Sequence, residues 1–315
     1  MEKLRFLELL YGGLEFYKKG EIQEAYDYLT NHQHQVDGSL GGIYFYRFLF
    51  ACELKNKELA LEILKKSVDD LDLWFPYQTL IYSEIADIFN NDETYQRLVD
   101  VCKTREEERK YNGKPHLEIF EPKTEFLSHP KLLIALHGDQ QEILGVHDYW
   151  NPERFFHHIV AIPEASIVSF SDGHTWSDIK RSLPELKLHY DNLIKEYSIQ
   201  PKDITICSFS GGTGVVLEAV VNEEIEVKNL IFVAPPLPNL EECKDKLSVL
   251  REKGVSVYIL CGDLDERFVP VANTFASYLN EANVNYKLHI ASNTKHEYPK
   301  NFDDVLLDMK EFLNL

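Results

Sequence analysis

Apolar residues recur at helical spacing through the first third of the chain and in short continuous runs thereafter, a change of period that marks two architectures. From Met1 to about Lys110 the series Leu4, Leu7, Leu10, Leu14, then Leu59, Ile63, Leu64, then Ile81, Ile85, Ile88 predicts amphipathic helices. The polar turns KKGE, KNK and NND separate them into hairpins of paired antiparallel helices. The charged stretch Thr104 to Pro115, ending in Asn-Gly and Pro, reads as a junction. Beyond it, Leu132 to Leu136, Ala165 to Phe170, Ile204 to Phe209, Leu230 to Val233, Val255 to Leu260 and Leu288 to Ile290 alternate with helix-compatible segments. Continuous apolar strands separated by helices predict an α/β fold, with a mostly parallel sheet covered on both faces. The run His116 to Pro122 adds an antiparallel edge strand, and the boundary puts an all-α domain at 1–110 and an α/β domain at 111–315.

Two helices cross closely only where small residues meet. Gly13, Phe16, Gly20, Ala25 and Leu29 fall at offsets that resemble a tetratricopeptide repeat. A second copy is degenerate: Ala51, Ala60 and Leu64 fit, while Phe48 and Lys55 replace the glycines. A third, around Ile88 to Leu98, fits in helix spacing alone. An irregular helical domain with small residues at its crossings is the alternative reading.

Charge narrows the choice of partners. Against 33 Lys and Arg stand 52 Asp and Glu, a formal net charge of -19 that repels phosphate backbones and anionic headgroups. Both halves are net acidic, so no nucleic acid and no membrane partner is expected. The 5 cysteines form no CxxC pair and read as reduced, buried thiols of a cytoplasmic protein. The N-terminus mixes acidic residues into its apolar run, which makes a poor secretion signal, and no stretch is apolar for long enough to span a bilayer.

Candidate chemistry gathers after the strands. ITICSFSGGTGVV places Ser210 between an apolar strand and a helix, with small neighbours Ser208 and Gly212 two residues to either side. A serine on so sharp a turn needs small neighbours, because strand and helix approach too closely for larger side chains. The turn exposes the hydroxyl and aims the following amides at any developing oxyanion. Upstream, KLLIALHGDQ ends in His137-Gly138, where Asp139 or Gln140 offers a second oxyanion amide. Downstream, VYILCGDLDERFVP ends in Asp263 and Asp265, and KLHIASNTKHEYP delivers His296. Nucleophile, carboxylate and histidine, each after a strand's carboxyl end, follow the chain order of a serine-hydrolase triad.

These four motifs, Leu136-His137-Gly138, Ser208-Phe209-Ser210-Gly211-Gly212, Gly262-Asp263-Leu264-Asp265 with Val269-Pro270, and His296-Glu297-Tyr298-Pro299, make residues 116–315 resemble an α/β-hydrolase. The likeness is strongest to the phospholipase/carboxylesterase and dienelactone-hydrolase branch. The resemblance implies Ser210 as nucleophile, His296 as general base and Asp265 as orienting acid, with Gly211 and the 139–140 loop as oxyanion hole. It implies a carboxylesterase acting on a small ester or thioester, with no cofactor and no metal. Two positions depart from the pattern: Ser208 stands where the family has Gly, and Asp263 competes with Asp265, although Gly-x-x-Asp followed by Val-Pro favours Asp265.

Other features are less specific. His157 and His158 are adjacent and do not face one metal site together, and His137 reads as a brace for its loop. SDGHTWSD follows an apolar run, so His174 and Trp176 are candidate substrate-binding residues. Pro235 to Lys253 is too short for a large lid. The helical half therefore either walls the pocket or presents its concave face to a protein partner. The rival functions are a serine peptidase of prolyl-oligopeptidase type, against which Thr213 speaks, and a non-catalytic interaction protein on a hydrolase scaffold.

Overall fold

The computed structural model describes residues 4–36, 40–122 and 130–315. Its chain divides into two compact units. The first comprises residues 1–114 with the segments 140–148 and 166–174; the second comprises 115–139, 149–165 and 175–315.

The first unit is helical: α1 (Phe6–Lys18), α2 (Ile22–His32), α3 (Gly41–Glu53), α4 (Lys57–Lys65), α5 (Tyr77–Leu80), α6 (Ser83–Phe89), α7 (Glu93–Asn112) and the short α8 (Ile143–His147). The three polar turns of the sequence fall between α1 and α2, α3 and α4, and α6 and α7, and each carries a local reason for the break. Gly20 takes φ +78°, Asn56 accepts from the Leu59 amide, and Asp92 accepts from the amides of Thr94 and Tyr95. A Cβ on Gly13 would meet Leu29 at 2.8 Å, which is why the first helix pair has glycine at its crossing. The charged stretch after Thr104 is helical for most of its length: α7 runs through it to Asn112, because Arg, Glu and Lys are good helix formers and the helix stops at Gly113 and Pro115. The core of this unit is aromatic, with Phe48, Phe75, Phe89, Trp74 and Tyr95 buried together.

The second unit holds a seven-stranded sheet in the order β1-β3-β2-β6-β7-β8-β9. Its strands are β1 (His116–Phe120), β2 (Lys131–Leu136), β3 (His158–Glu164), β6 (Ile204–Phe209), β7 (Asn229–Val233), β8 (Ser256–Gly262) and β9 (Asn285–Ala291). All neighbours are parallel except the edge strand β1, which runs antiparallel to β3. Helices α9 (Ile179–Tyr197), α10 (Gly212–Val221), α11 (Leu240–Cys243), α12 (Ser248–Glu252), α13 (Val269–Glu281) and α14 (Phe302–Leu313) complete it. The interior strands are buried along almost their whole length, which accounts for their unbroken apolar runs.

One strand expectation is corrected. The run Ala165 to Phe170 does not enter the main sheet; its β4 (Ile167–Phe170) pairs only with β5 (Gly173–Thr175) in a small hairpin. The strand between β1 and β2 is β3, whose Pro163 and leading histidine obscure it as a run. Pro163 is accommodated where β3 meets the antiparallel edge strand, opposite Leu117. The strand order reverses between β2 and β6, so the crevice beyond their carboxyl ends is the place where an open α/β sheet accepts ligands.

Candidate active site

Ser210 is the first residue after β6 and takes φ +46°, a left-handed conformation that costs a non-glycine residue energy. Its carbonyl is held by the amide of Thr213 at 2.9 Å and by the Thr213 hydroxyl at 2.7 Å, and α10 starts two residues on. Gly212 has no room for a side chain: a Cβ there would stand 2.7 Å from the His137 carbonyl and 3.0 Å from Leu136 Cβ. Ser208 is tolerated opposite it, buried at the end of β6, with its hydroxyl unpartnered among the described residues.

The carboxylate and the histidine arrive from β8 and β9. Asp265 is buried in the turn after β8, its Oδ2 lies 2.7 Å from His296 Nδ1, and its Oδ1 accepts from the Phe268 amide at 3.3 Å. The other face of the ring puts His296 Nε2 2.8 Å from Ser210 Oγ. Carboxylate, imidazole and hydroxyl thus form one hydrogen-bonded chain drawn from the ends of three strands. Asp263 is directed elsewhere: it accepts from the Thr294 amide at 3.1 Å, and the backbone amides of Asn293 and Thr294 hold its carboxyl below the usual range. It pins the loop that carries His296.

An aromatic base, which the sequence reading did not anticipate, supports that loop. The His296 ring packs 5.3 Å from Phe209 and 4.8 Å from Phe268. Phe209 stacks in turn on Tyr298, whose hydroxyl accepts from Trp150 Nε1 at 2.9 Å and whose ring stacks 3.7 Å from Tyr149. Burial pushes the Tyr298 phenol far up, so it stays protonated. The signal in the sequence was Tyr298 in the His-Glu-Tyr-Pro motif; Tyr149 and Trp150 had none.

The loop after β2 faces the nucleophile turn. His137 is fully buried; its Nε2 accepts from the Ala165 amide at 3.1 Å, so the proton sits on Nδ1, which donates to the Gly138 carbonyl at 2.6 Å. Among the described residues the amides of Gly211 and Asp139 make no hydrogen bond. Gln140 is corrected as an oxyanion donor: at φ +63° its amide is given to the His174 carbonyl at 2.7 Å. His174 is tied into that same strand-like contact with residues 140 and 141. Trp176 is corrected as a substrate-lining residue, because it is 1% exposed, sealed into the core with its ring 5.1 Å from His137. Among the described residues no group of three or more His, Cys, Asp and Glu is arranged to hold a metal ion, and no helix is long and apolar enough to cross a membrane.

Residues 5–110 match the family model described as A/B hydrolase-like, N-terminal domain. A structure of an uncharacterized protein from Bacillus cereus ATCC 10987 is 30% identical, with 98% of this chain and 99% of that chain covered and a TM-score of 0.56. The structure of esterase PE8 is 17% identical, covers 63% of this chain and 99% of its own, and has a TM-score of 0.54. That of Est1E from Butyrivibrio proteoclasticus with bound ferulic acid is 19% identical, covers 64% and 94%, and has a TM-score of 0.50. At such identities the two esterases share the fold. A search of curated proteins finds no match.

Proposed function

Because the chain belongs to the α/β-hydrolases that carry an N-terminal helical domain, we propose that it is a serine hydrolase of carboxylesterase type, cleaving a small ester or thioester. The observation that carries this reading is the continuous contact from Asp265 through His296 to Ser210, at 2.7 and 2.8 Å, with Ser210 on a strained turn. The fold shared with esterase PE8 and Est1E supports it.

A serine hydroxyl is a weak nucleophile near neutral pH, so His296 Nε2 takes its proton as Oγ attacks the carbonyl carbon. Asp265 keeps the ring's other proton on Nδ1 and stabilises the imidazolium. The tetrahedral oxyanion is held by the amide of Gly211, at the positive end of α10, and by that of Asp139 in the loop after β2. Collapse breaks the bond to the alcohol or thiol, which leaves with the proton from His296. Water, deprotonated by the same nitrogen, then attacks the acyl-enzyme and releases the acid.

A fluorophosphonate probe tests the proposal, since it labels only an activated serine. Ser210→Ala should abolish both labelling and hydrolysis across a panel of short-chain esters and thioesters. Labelling that persists in Ser210→Ala, or a folded wild-type protein that is neither labelled nor active on any of the panel, overturns it.

A further inference from the structure

The Asp139 carboxylate lies against the residue that follows the nucleophile. A Cβ on Gly211 would stand 2.4 Å from Asp139 Cγ and from both carboxylate oxygens, so the group lies directly over Gly211 Cα. It is held there by one oxygen: Oδ1 accepts from the Trp176 amide at 3.2 Å and from the Thr175 hydroxyl, while Thr175 Oγ1 itself accepts from the Ser177 amide at 3.3 Å. The second oxygen, Oδ2, takes no hydrogen bond and no ion pair among the described residues, and the residue is exposed to solvent. A fixed negative charge with a free acceptor thus stands beside the amide assigned to the oxyanion.

Such a placement has a direct electrostatic consequence. A carboxylate next to a developing oxyanion repels it, and that repulsion is relieved when the substrate brings a positive charge between the two. Among the described residues no cationic side chain is paired with Asp139. We propose that Asp139 is a specificity-determining residue that selects acyl groups bearing an ammonium next to the scissile carbonyl, with α-aminoacyl esters the simplest class, and rejects acyl groups bearing a carboxylate there. An α-ammonium is one carbon from the carbonyl, so in this pose it would turn toward Oδ2 while the carbonyl oxygen meets the Gly211 amide. The overall charge of -19 acts in the same sense by drawing cations toward the surface. This inference rests on Ser210 as nucleophile and deepens that reading.

The test compares three ethyl esters of nearly equal shape at pH 7: alanine, isobutyrate and the methylmalonate half-ester, which place ammonium, methyl and carboxylate at the same carbon. In Asp139→Asn the alanine-to-isobutyrate ratio of kcat/KM should fall about 10- to 100-fold from its wild-type value, the range expected for a hydrogen bond to a charged group, while the methylmalonate-to-isobutyrate ratio rises. Intrinsic ester reactivity cancels in that comparison. Arg267, whose guanidinium sits 5.0 Å over the Phe268 ring on the histidine side, is the charge control, and Arg267→Ala should leave the alanine-to-isobutyrate ratio in place. Unchanged ratios in Asp139→Asn, or a collapse in Arg267→Ala instead, overturn the proposal. A readout without variants guards against misfolding of Asp139→Asn: alaninamide should slow fluorophosphonate labelling of the wild-type protein more than isobutyramide at equal concentration, and equal protection overturns it. Absence of labelling altogether would refute the esterase reading rather than the selectivity, so the two failures are separable.

Discussion

Gly262 ends β8 directly beneath the carbonyl of Thr294, and a Cβ at Gly262 would stand 2.1 Å from that oxygen and 2.6 Å from the carbonyl of Lys295. The loop that delivers His296 therefore crosses the end of β8 at a distance only glycine permits. Leu264 donates its amide to the same Thr294 carbonyl at 2.9 Å, and Asp263 accepts from the Thr294 amide, so the crossing is bonded from both sides. Gly262→Ala should push the loop outward, costing on the order of 3 kcal/mol of stability. A displacement of His296 by about 1 Å should lower kcat about 100-fold. Urea unfolding and steady-state kinetics of the variant check both numbers; wild-type kcat in Gly262→Ala would show that the crossing does not position the histidine.

The two acidic residues after β8 have separable roles. Asp265 is buried against the imidazole, while Asp263 is exposed and, among the described residues, is held by backbone amides. Asp265→Asn should lower kcat by about 10⁴ with the fold intact, because the amide favours the wrong ring tautomer. Asp263→Asn should lose some stability through its weakened bonds to the backbone amides of residues 293 and 294, and keep most of its turnover. Equal loss of kcat in the two variants would contradict this division.

The parts of the site that the sequence reveals are those that repeat strand chemistry: an apolar run that stops at a small or acidic residue says both where a strand ends and what stands there. That pattern points to Ser210, Asp265 and His296, whose side chains the structure brings into one hydrogen-bonded chain. β3 was not legible, because its leading His158 and Pro163 interrupt its apolar pattern, and its place between β1 and β2 is decided by long-range pairing. The charged stretch after Thr104 reads as a junction by composition, yet its residues are equally good helix formers and most of it is the last turns of α7. The carboxylate of Asp139 touching Gly211, and Trp150 donating to Tyr298, join residues far apart in the chain and leave no local trace.

Ser208 stands where a glycine is expected, and its hydroxyl is buried at 1% exposure with no hydrogen-bond partner among the described residues. The hydroxyl adds nothing to the chain from Asp265 to Ser210. Removing an unsatisfied buried polar group recovers its desolvation penalty, so Ser208→Ala should gain about 1 kcal/mol of stability while retaining fluorophosphonate labelling. Ser208→Gly removes the side chain that faces Gly212 as well, and should lose stability relative to Ala through the freedom it returns to the unfolded chain. Thermal unfolding of both variants ranks them; a Ser208→Ala protein that no longer reacts with the probe would assign the hydroxyl a part in the site.

His158 opens β3 with both ring nitrogens buried and unpartnered among the described residues, and burial, aided by the nearby Lys131 and Lys310, lowers its pKa from 6.5 to about 3. The sign follows from proton counts: between about 3 and 6.5 the unfolded chain binds a proton at this imidazole and the folded chain does not, so stability rises with pH across that window and falls as the solution is acidified through it. Each unit is about 1.4 kcal/mol, so moving from pH 7 to pH 5 should cost about 2 kcal/mol at this residue alone. In His158→Leu no proton is taken up on unfolding at this position, and the loss between pH 7 and pH 5 should shrink by that amount. Urea denaturation of both proteins at the two pH values measures the difference; identical pH dependence would mean that His158 is protonated in the folded protein or reached by water.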